Sequence, residues 1–337
     1  VSIGTSLSAY WIMVNNSWMQ YPTGYSLAAN GVFIPDDWSA ILFSEAVRTR
    51  FPHMVLAAYV TSAFCVAATG AWYMLRGTAV QEGRAMAVMG LRLAAILVPL
   101  QLLFGHLVGD YVHDRQPAKF AAIEGRWNDE QPASEILIAW PDPKNERNLF
   151  EIAVPYLGSI IGSMSLTAKE TGLKSFAAAD RPPVAIPFFA FRIMVGCGLL
   201  MLAIAWVGTW LSFGERLVKA RLFLVATSLS FPLGFVATLT GWYTAEVGRQ
   251  PWAVYGELRT ADALTPVLTT GEVAATLTLI ACIYALIFGF GALYILRLLR
   301  AGPIPRTDIS LFGTNPKRPL SLPGASPGVT GGAGIGD

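Results

Sequence analysis

The chain has 337 residues, of which 54% are hydrophobic and only 14% charged, against about 25% charged in soluble domains. Its 24 Lys and Arg against 22 Asp and Glu leave a net charge of +2. That balance excludes an electrostatic case for nucleic-acid binding and, with the high hydrophobicity, general disorder. Cys65, Cys197 and Cys282 lie in apolar runs without CxxC spacing, so neither a disulfide framework nor a zinc site is indicated. The composition is that of a membrane protein.

A bilayer core of about 30 Å needs about 20 predominantly apolar residues as helix. Residues 1–19 carry no charge and no basic signal-peptide region. Beginning abruptly without an initiator Met, they read as the surviving part of a spanning helix in a truncated chain. Further spans are predicted at 54–76, 86–109, 184–211, 222–243 and 268–296. The fold class expected is an all-α integral membrane protein, a transmembrane helix bundle with about six spans present. Residues 1–109 hold transmembrane helices, 110–183 a long extramembrane loop and 184–300 further transmembrane helices. Residues 301–337 form a Gly/Pro-rich tail expected to be disordered. Basic connections at Arg76, Arg84 and Arg92, at Arg216, Lys219 and Arg221, and after Arg297 and Arg300 fall on one side. The positive-inside rule makes that side cytoplasmic. Loop 110–183 is then periplasmic and the C-terminus cytoplasmic. No internal repeat suggests an inverted-repeat transporter.

Polar residues at the ends of these runs carry the functional signal. His53 opens its run in RFPHMVLAAYV; it is either an interfacial histidine or an axial haem ligand. Met194, in FRIMVGCG, is either core filler or the thioether half of a His/Met haem pair. Arg192 lies two residues earlier in an apolar run, where an unpaired arginine costs at least about 2.5 kcal/mol. A haem propionate is one anionic partner it could take. Glu246 and Arg249 are three apart in GWYTAEVGRQPW. They are either a surface ion pair or part of a site bracketed by Trp242, Tyr243 and Trp252. Lys119 and Glu124, in QPAKFAAIEGRW, are about 140° apart on a helix and do not pair directly. Either a polar head group sits between them or both are solvated. His106 and His113 flank the loop entrance and receive no role.

In order along the chain, LSAYWIMVNNSWMQ, the His53 segment, QPAKFAAIEGRW, FRIMVGCG, and GWYTAE followed by GRQPW at 248–252 resemble subunit I of cytochrome bd-type quinol oxidases. The short loop is similar to that of the cyanide-insensitive branch. The resemblance implies a family with nine spans, of which this chain would lack the first three. It implies that His53 and Met194 ligate the iron of a low-spin haem b, with Arg192 beside it. Glu246 is implied as the iron ligand of a high-spin haem b, with Arg249 and Trp242 in contact with haem. Lys119 and Glu124 match the quinol-binding pair. Ser8 and Asn16 match polar residues bordering the oxygen-reducing site, whose haem d (or a third haem b) would take its histidine from before Val1.

The activity implied is a quinol:oxygen oxidoreductase, electrogenic without proton pumping. Ubiquinol or menaquinol is oxidised at the periplasmic face, and electrons pass through haems to reduce O2 to water. The implied partners are subunit II, a small single-span subunit, quinol, O2 and membrane lipid, with no nucleic acid. The implied location is the bacterial inner membrane, multi-pass. A secondary transporter using Arg192 and Glu246 as a buried charge relay is the alternative from another class, and a structural or assembly subunit without cofactor is a third.

Overall fold

The structure is a computed structural model that describes residues 2–265 and 267–302. The tail expected to be disordered lies, from residue 303 on, outside the described residues. Helix α1 (Ser2–Gln20) leads into a small hairpin, β1 (Tyr25–Leu27) and β2 (Phe33–Pro35), and a short α2 (Trp38–Leu42). Two long helices follow, α3 (Glu45–Arg76) and α4 (Val80–Arg115). The extramembrane stretch contains α5 (Pro117–Glu124), the hairpin β3 (Glu135–Asp142) and β4 (Arg147–Val154), and α6 (Leu157–Ser163). Then come α7 (Ala185–Leu211), α8 (Arg216–Lys219), α9 (Arg221–Leu229) and α10 (Leu233–Val247). A last hairpin, β5 (Trp252–Val254) and β6 (Leu258–Arg259), precedes α11 (Thr270–Ala301). Residues 1–285 form one compact unit and 286–337 another, with α11 crossing the boundary between them.

Five helical segments are long and apolar enough to cross a membrane: Trp38–Arg76, Val80–Arg115, Ala185–Leu211, Arg221–Val247 and Thr270–Ala301. They coincide with the five long apolar runs in the sequence. The N-terminal run is helical as well, but Ser6, Asn15, Asn16, Ser17 and Gln20 make it more polar than the others. The run at 222–243 is not one helix. It breaks between α9 and α10, where Pro232 lacks the N–H a continuing helix requires. Hydroxyls take up part of the freed hydrogen bonding, Ser230 Oγ donating to Thr227 O at 2.6 Å.

Within the first unit, α3, α4, α7 and α10 pack in a closed ring, each against the next. Small residues allow the tightest seam, between α3 and α4. A Cβ on Gly70 would sit 2.4 Å from Gly83 O, and one on Gly90 would sit 2.5 Å from Ala63 O. Such small-residue seams let backbones approach where lipid gives no hydrophobic drive for helices to associate. Phe64, Leu91, Val98, Ala205, Leu217 and Leu224 fill the buried centre. Arg115 pairs with Glu45 at 3.0 Å, which puts the end of α4 beside the start of α3. At the opposite end Arg92 donates to Ser212 Oγ at 3.1 Å and Arg84 to Gly214 O at 2.6 Å. The basic connections around α4 and α8 therefore share one end, away from the loop.

Loop 117–184 is structured around one two-stranded sheet, β3–β4, so with the hairpins β1–β2 and β5–β6 the helical bundle carries a small β component. Short apolar runs at 136–140 and 152–161 lie in β3, the end of β4 and α6. Pro117 at the first turn fixes the start of α5, and Gly125, at φ +68°, stops it. All residues from Ala118 to Glu124 are buried.

Candidate functional site

His53 sits in the first turns of α3, half-buried, with the Gln101 amide nitrogen of α4 3.2 Å from both ring nitrogens. Gln101 Oε1 is buried without a partner. Gly105, one turn further along α4, faces the same ring: a Cβ there would lie 3.2 Å from His53 Cε1. Met194 lies on α7 against Gly241 of α10, whose Cβ would meet the sulfur at 2.7 Å. Imidazole and thioether thus stand on diagonal members of the four-helix ring, each beside a glycine that withholds a side chain.

Glu246 ends α10 and is held at both oxygens. Arg249 Nη2 donates to Oε2 at 2.7 Å, and Asn16 Nδ2 of α1 donates to Oε1 at 2.8 Å. Arg50, from the start of α3, completes the cluster: its Nη2 donates to Asn16 Oδ1 at 2.6 Å and its Nη1 to Ser17 Oγ at 3.1 Å. The ion pair with Arg249 does form, but it is not a surface pair, the side chains being 20% and 9% exposed. Arg249 Nε and Nη1 are buried with no partner. The expected aromatic bracket is corrected. Trp242 and Tyr243 are 58% and 47% exposed, and Trp252 packs under the Arg259 guanidinium at 4.6 Å. Polar residues from α1 and α3, not those rings, enclose Glu246. Ser8, grouped with Asn16 in the sequence, is exposed and stands apart.

Lys119 and Glu124 are both on α5 and both buried, 4% and 3% exposed, so neither is a solvated loop residue. They point to different neighbours, as their angular separation requires. Lys119 Nζ donates to Gln20 Oε1 at 2.8 Å and to Ala245 O at 3.0 Å, one residue from Glu246. Burial above all, with the charges of Arg50 and Arg249 added, holds its pKa well below the usual lysine value. Glu124 instead lies within hydrogen-bonding reach of the Glu135 carboxyl of β3, and its Oε2 is buried with no partner. Glu135 is pushed up to about 9, first by burial, then by the charge of Glu124 and the bond between them.

Arg192 is tied to this loop. It donates from Nη1 to Ile123 O at 2.8 Å and to Phe188 O at 3.1 Å, and from Nε to Ile136 O and Leu137 O at 3.0 and 3.1 Å. Nη2 reaches Ile136 O as well and lies 3.8 Å from Glu135 Oε1. Within the chain, Arg192 thus spends its fork mainly on carbonyls, with the Glu135 carboxyl at a longer 3.8 Å. Participants not singled out in the sequence include Ser17, Gln20, Arg50, Gln101 and Glu135. Arg50 had a signal, a charge three residues before His53 and so on the same helical face. Glu135 had none, because only the folded hairpin brings it to α5.

Long apolar helices with a polar cluster around half-buried Glu246 at one end define a multi-pass membrane protein. The chain belongs to the cytochrome bd terminal oxidase subunit I family, whose model matches residues 1–303. It is 33% identical over 316 residues to cytochrome bd ubiquinol oxidase subunit 1 of Bacillus subtilis (strain 168), covering 89% of this chain and 65% of that protein. It is 30% identical over 375 residues to cytochrome bd-II ubiquinol oxidase subunit 1 of Escherichia coli (strain K12), covering 90% and 72%. The bd oxidase structure from Geobacillus thermodenitrificans matches with a TM-score of 0.81 at 30% identity, covering 89% of this chain and 68% of that one. The chain therefore spans about two-thirds of the length of these relatives. Helices and family make it a multi-pass protein of the bacterial inner membrane. Nothing in these relatives favours a transporter.

A cytochrome implies haem, and the residues present fit one. Gly105 and Gly241 let the His53 ring and the Met194 sulfur sit against the neighbouring helices, where a Cβ would come within 3.2 and 2.7 Å of them, and an imidazole and a thioether are a donor set that haem iron takes. The two unpartnered nitrogens of buried Arg249 need an anion, such as a propionate, to satisfy them.

Proposed function

We propose that the chain is the haem-bearing subunit of a quinol:oxygen oxidoreductase that oxidises quinol at loop 110–183 and passes the electrons inward to reduce O2 to water. Beyond family membership, the supporting observation is the single hydrogen bond, Lys119 Nζ to Ala245 O at 3.0 Å, that sets the quinol-pair lysine beside Glu246. His53 and Met194 would hold a low-spin haem b, and Glu246 a high-spin haem b with Arg249 at a propionate. Bound there, the haems supply the electron path and the oxygen chemistry. The protein's own side chains bind and orient. Lys119 supplies a donor whose charge is already weakened by burial, suited to a hydroxyl oxygen of the quinol. Glu124, with a free Oε2, supplies an acceptor for the hydroxyl proton. Arg192 holds the carbonyls of α5 and β3 in place, so the loop keeps these two groups fixed. Subunit II and a small single-span subunit are the proposed partners, ubiquinol or menaquinol the donor, and haem d or a third haem b the oxygen-binding group. The loop faces the periplasm and the C-terminus the cytoplasm in this reading, since the Arg84, Arg92 and Arg216 end carries the positive charge.

The test uses the assembled oxidase. Glu124→Gln is expected to slow quinol-driven oxygen consumption about a hundredfold, within the range of a lost general base, while pyridine haemochrome counting finds the haems intact. Equal effects on quinol and on an artificial donor that bypasses the loop would remove the quinol site from Glu124.

A further inference from the structure

Glu135 reaches Glu124 from a different element. It stands at the first position of β3, opposite Val154 of β4, with a side chain 11% exposed, while Glu124 on α5 is 3% exposed as a residue. The two carboxyl groups come within hydrogen-bonding reach of each other, and Arg192 Nη2 links their elements, 3.8 Å from Glu135 Oε1 and 3.5 Å from Glu124 O. Ionised carboxylates are acceptors only, so a bond between them requires one proton held in common. The charged groups facing Glu135 are Glu124 from α5, Arg126 from the segment after it and Arg192 from α7. Arg192 spends its donors on five carbonyls and reaches Glu135 only at 3.8 Å. Arg126 is 1% exposed, donates from Nη2 to Ser134 O at 3.0 Å, and leaves Nε and Nη1 without a partner. Arg126 Nε and Nη1 and Glu124 Oε2 are thus buried polar atoms with open hydrogen-bonding capacity in this part of the loop.

We infer that Glu124 and Glu135 form a proton-sharing pair, in which Glu124 takes the hydroxyl proton of the quinol and Glu135 releases one to solvent. The inference rests on the quinol reading of this loop. In the step, the quinol O–H bond breaks and an O–H bond forms on the pair. The proton already shared then leaves from Glu135, the more exposed member. The pair begins and ends with one negative charge, balanced by Arg126 and Arg192, so no second charge is ever stranded in the buried site. The quinol's electrons go to the haem iron of the oxidase and do not enter this proton balance. The raised pKa of Glu135 agrees with a proton held there at neutral pH.

The decisive comparison uses two donors on the assembled oxidase, decylubiquinol and tetramethyl-p-phenylenediamine, which gives electrons without hydroxyl protons. Glu135→Gln is expected to lower the decylubiquinol rate at least about tenfold. The phenylenediamine rate and the haem content should stay near wild type. The protonated-carboxyl stretching band, assigned by labelled glutamate in infrared spectra, should disappear in this variant and in Glu124→Gln. If Glu124→Gln slows only the quinol rate and Glu135→Gln changes neither, the pair is wrong and the quinol site stands. If neither variant distinguishes the donors, the quinol reading falls and the pair with it. Should Glu135→Gln fail to assemble, the wild-type band decides. A band present at pH 7 that titrates near pH 9 upholds the pair, and no such band overturns it.

Discussion

Glu246 has both oxygens taken, by Arg249 at 2.7 Å and Asn16 at 2.8 Å. A surface pair of this spacing is worth roughly 0–1 kcal/mol, and this one is largely enclosed, so truncating it leaves Arg249 with three unmet nitrogens. In the assembled oxidase, Glu246→Gln is expected to lose the haem it holds while the His53/Met194 haem persists. Haemochrome counting reads this directly, and an unchanged count assigns Glu246 to the ion pair alone. Met194→Leu keeps the volume, a swap usually costing less than about 1.5 kcal/mol, yet should lower the potential of the low-spin haem or abolish its signal. Glu135 adds a pH dependence. A glutamate titrates near ~4.3 when unfolded, against about 9 here, so between those values only the folded state keeps the proton. The stability it contributes is complete below the unfolded value and is lost as pH rises through the folded one. Thermal inactivation should therefore worsen from about pH 6 to pH 9 in wild type and change less in Glu135→Gln.

At the scale of elements, the five long helices were legible because a bilayer demands length and apolarity together, and both are local properties. The ring they form was not legible, since what brings α3 and α4 together is glycine against backbone. Gly90→Leu would drive atoms into Ala63 O, where even a Cβ comes within 2.5 Å. Overpacking of this kind costs typically about 1–3 kcal/mol, to be read as a lower midpoint in detergent-denaturation curves. Leu is apolar and a better helix former than Gly, so a gain in stability would mean that the seam is loose. The break between α9 and α10 was missed because average hydropathy passes over a single proline. The site divides the same way. His53, Met194, Glu246 and the α5 pair stood out as polar groups in apolar or distinctive strings. Glu135 and Arg126 look like ordinary loop charges until β3 folds back onto α5.

For the molecule as a whole, the question is whether the loop is a separate cap or part of the bundle. Arg192 lies on a membrane-length helix yet donates to Ile123 O at the end of α5 and to Ile136 O and Leu137 O of β3. His113, at the end of α4, reaches buried Glu170 at 2.9 Å and so pins the far side of the loop. The bundle thus grips the loop from two helices, and the position of Glu124 and Glu135 depends on a residue of α7. Arg192→Leu removes donors from five carbonyls and should release the hairpin, each lost partner costing on the order of 1 kcal/mol. Arg192→Lys keeps the charge but offers a point donor in place of a planar fork, and is expected to rescue little. Limited proteolysis checks this. Both variants should be cut between residues 125 and 183 at protease levels that leave wild type whole, with the helices of the bundle surviving as large fragments. Quinol-driven turnover should fall in step with the cleavage rate across the two variants. If the loop stays resistant in Arg192→Leu, it folds independently of α7, and Glu124 and Glu135 are positioned by α5 and β3 themselves.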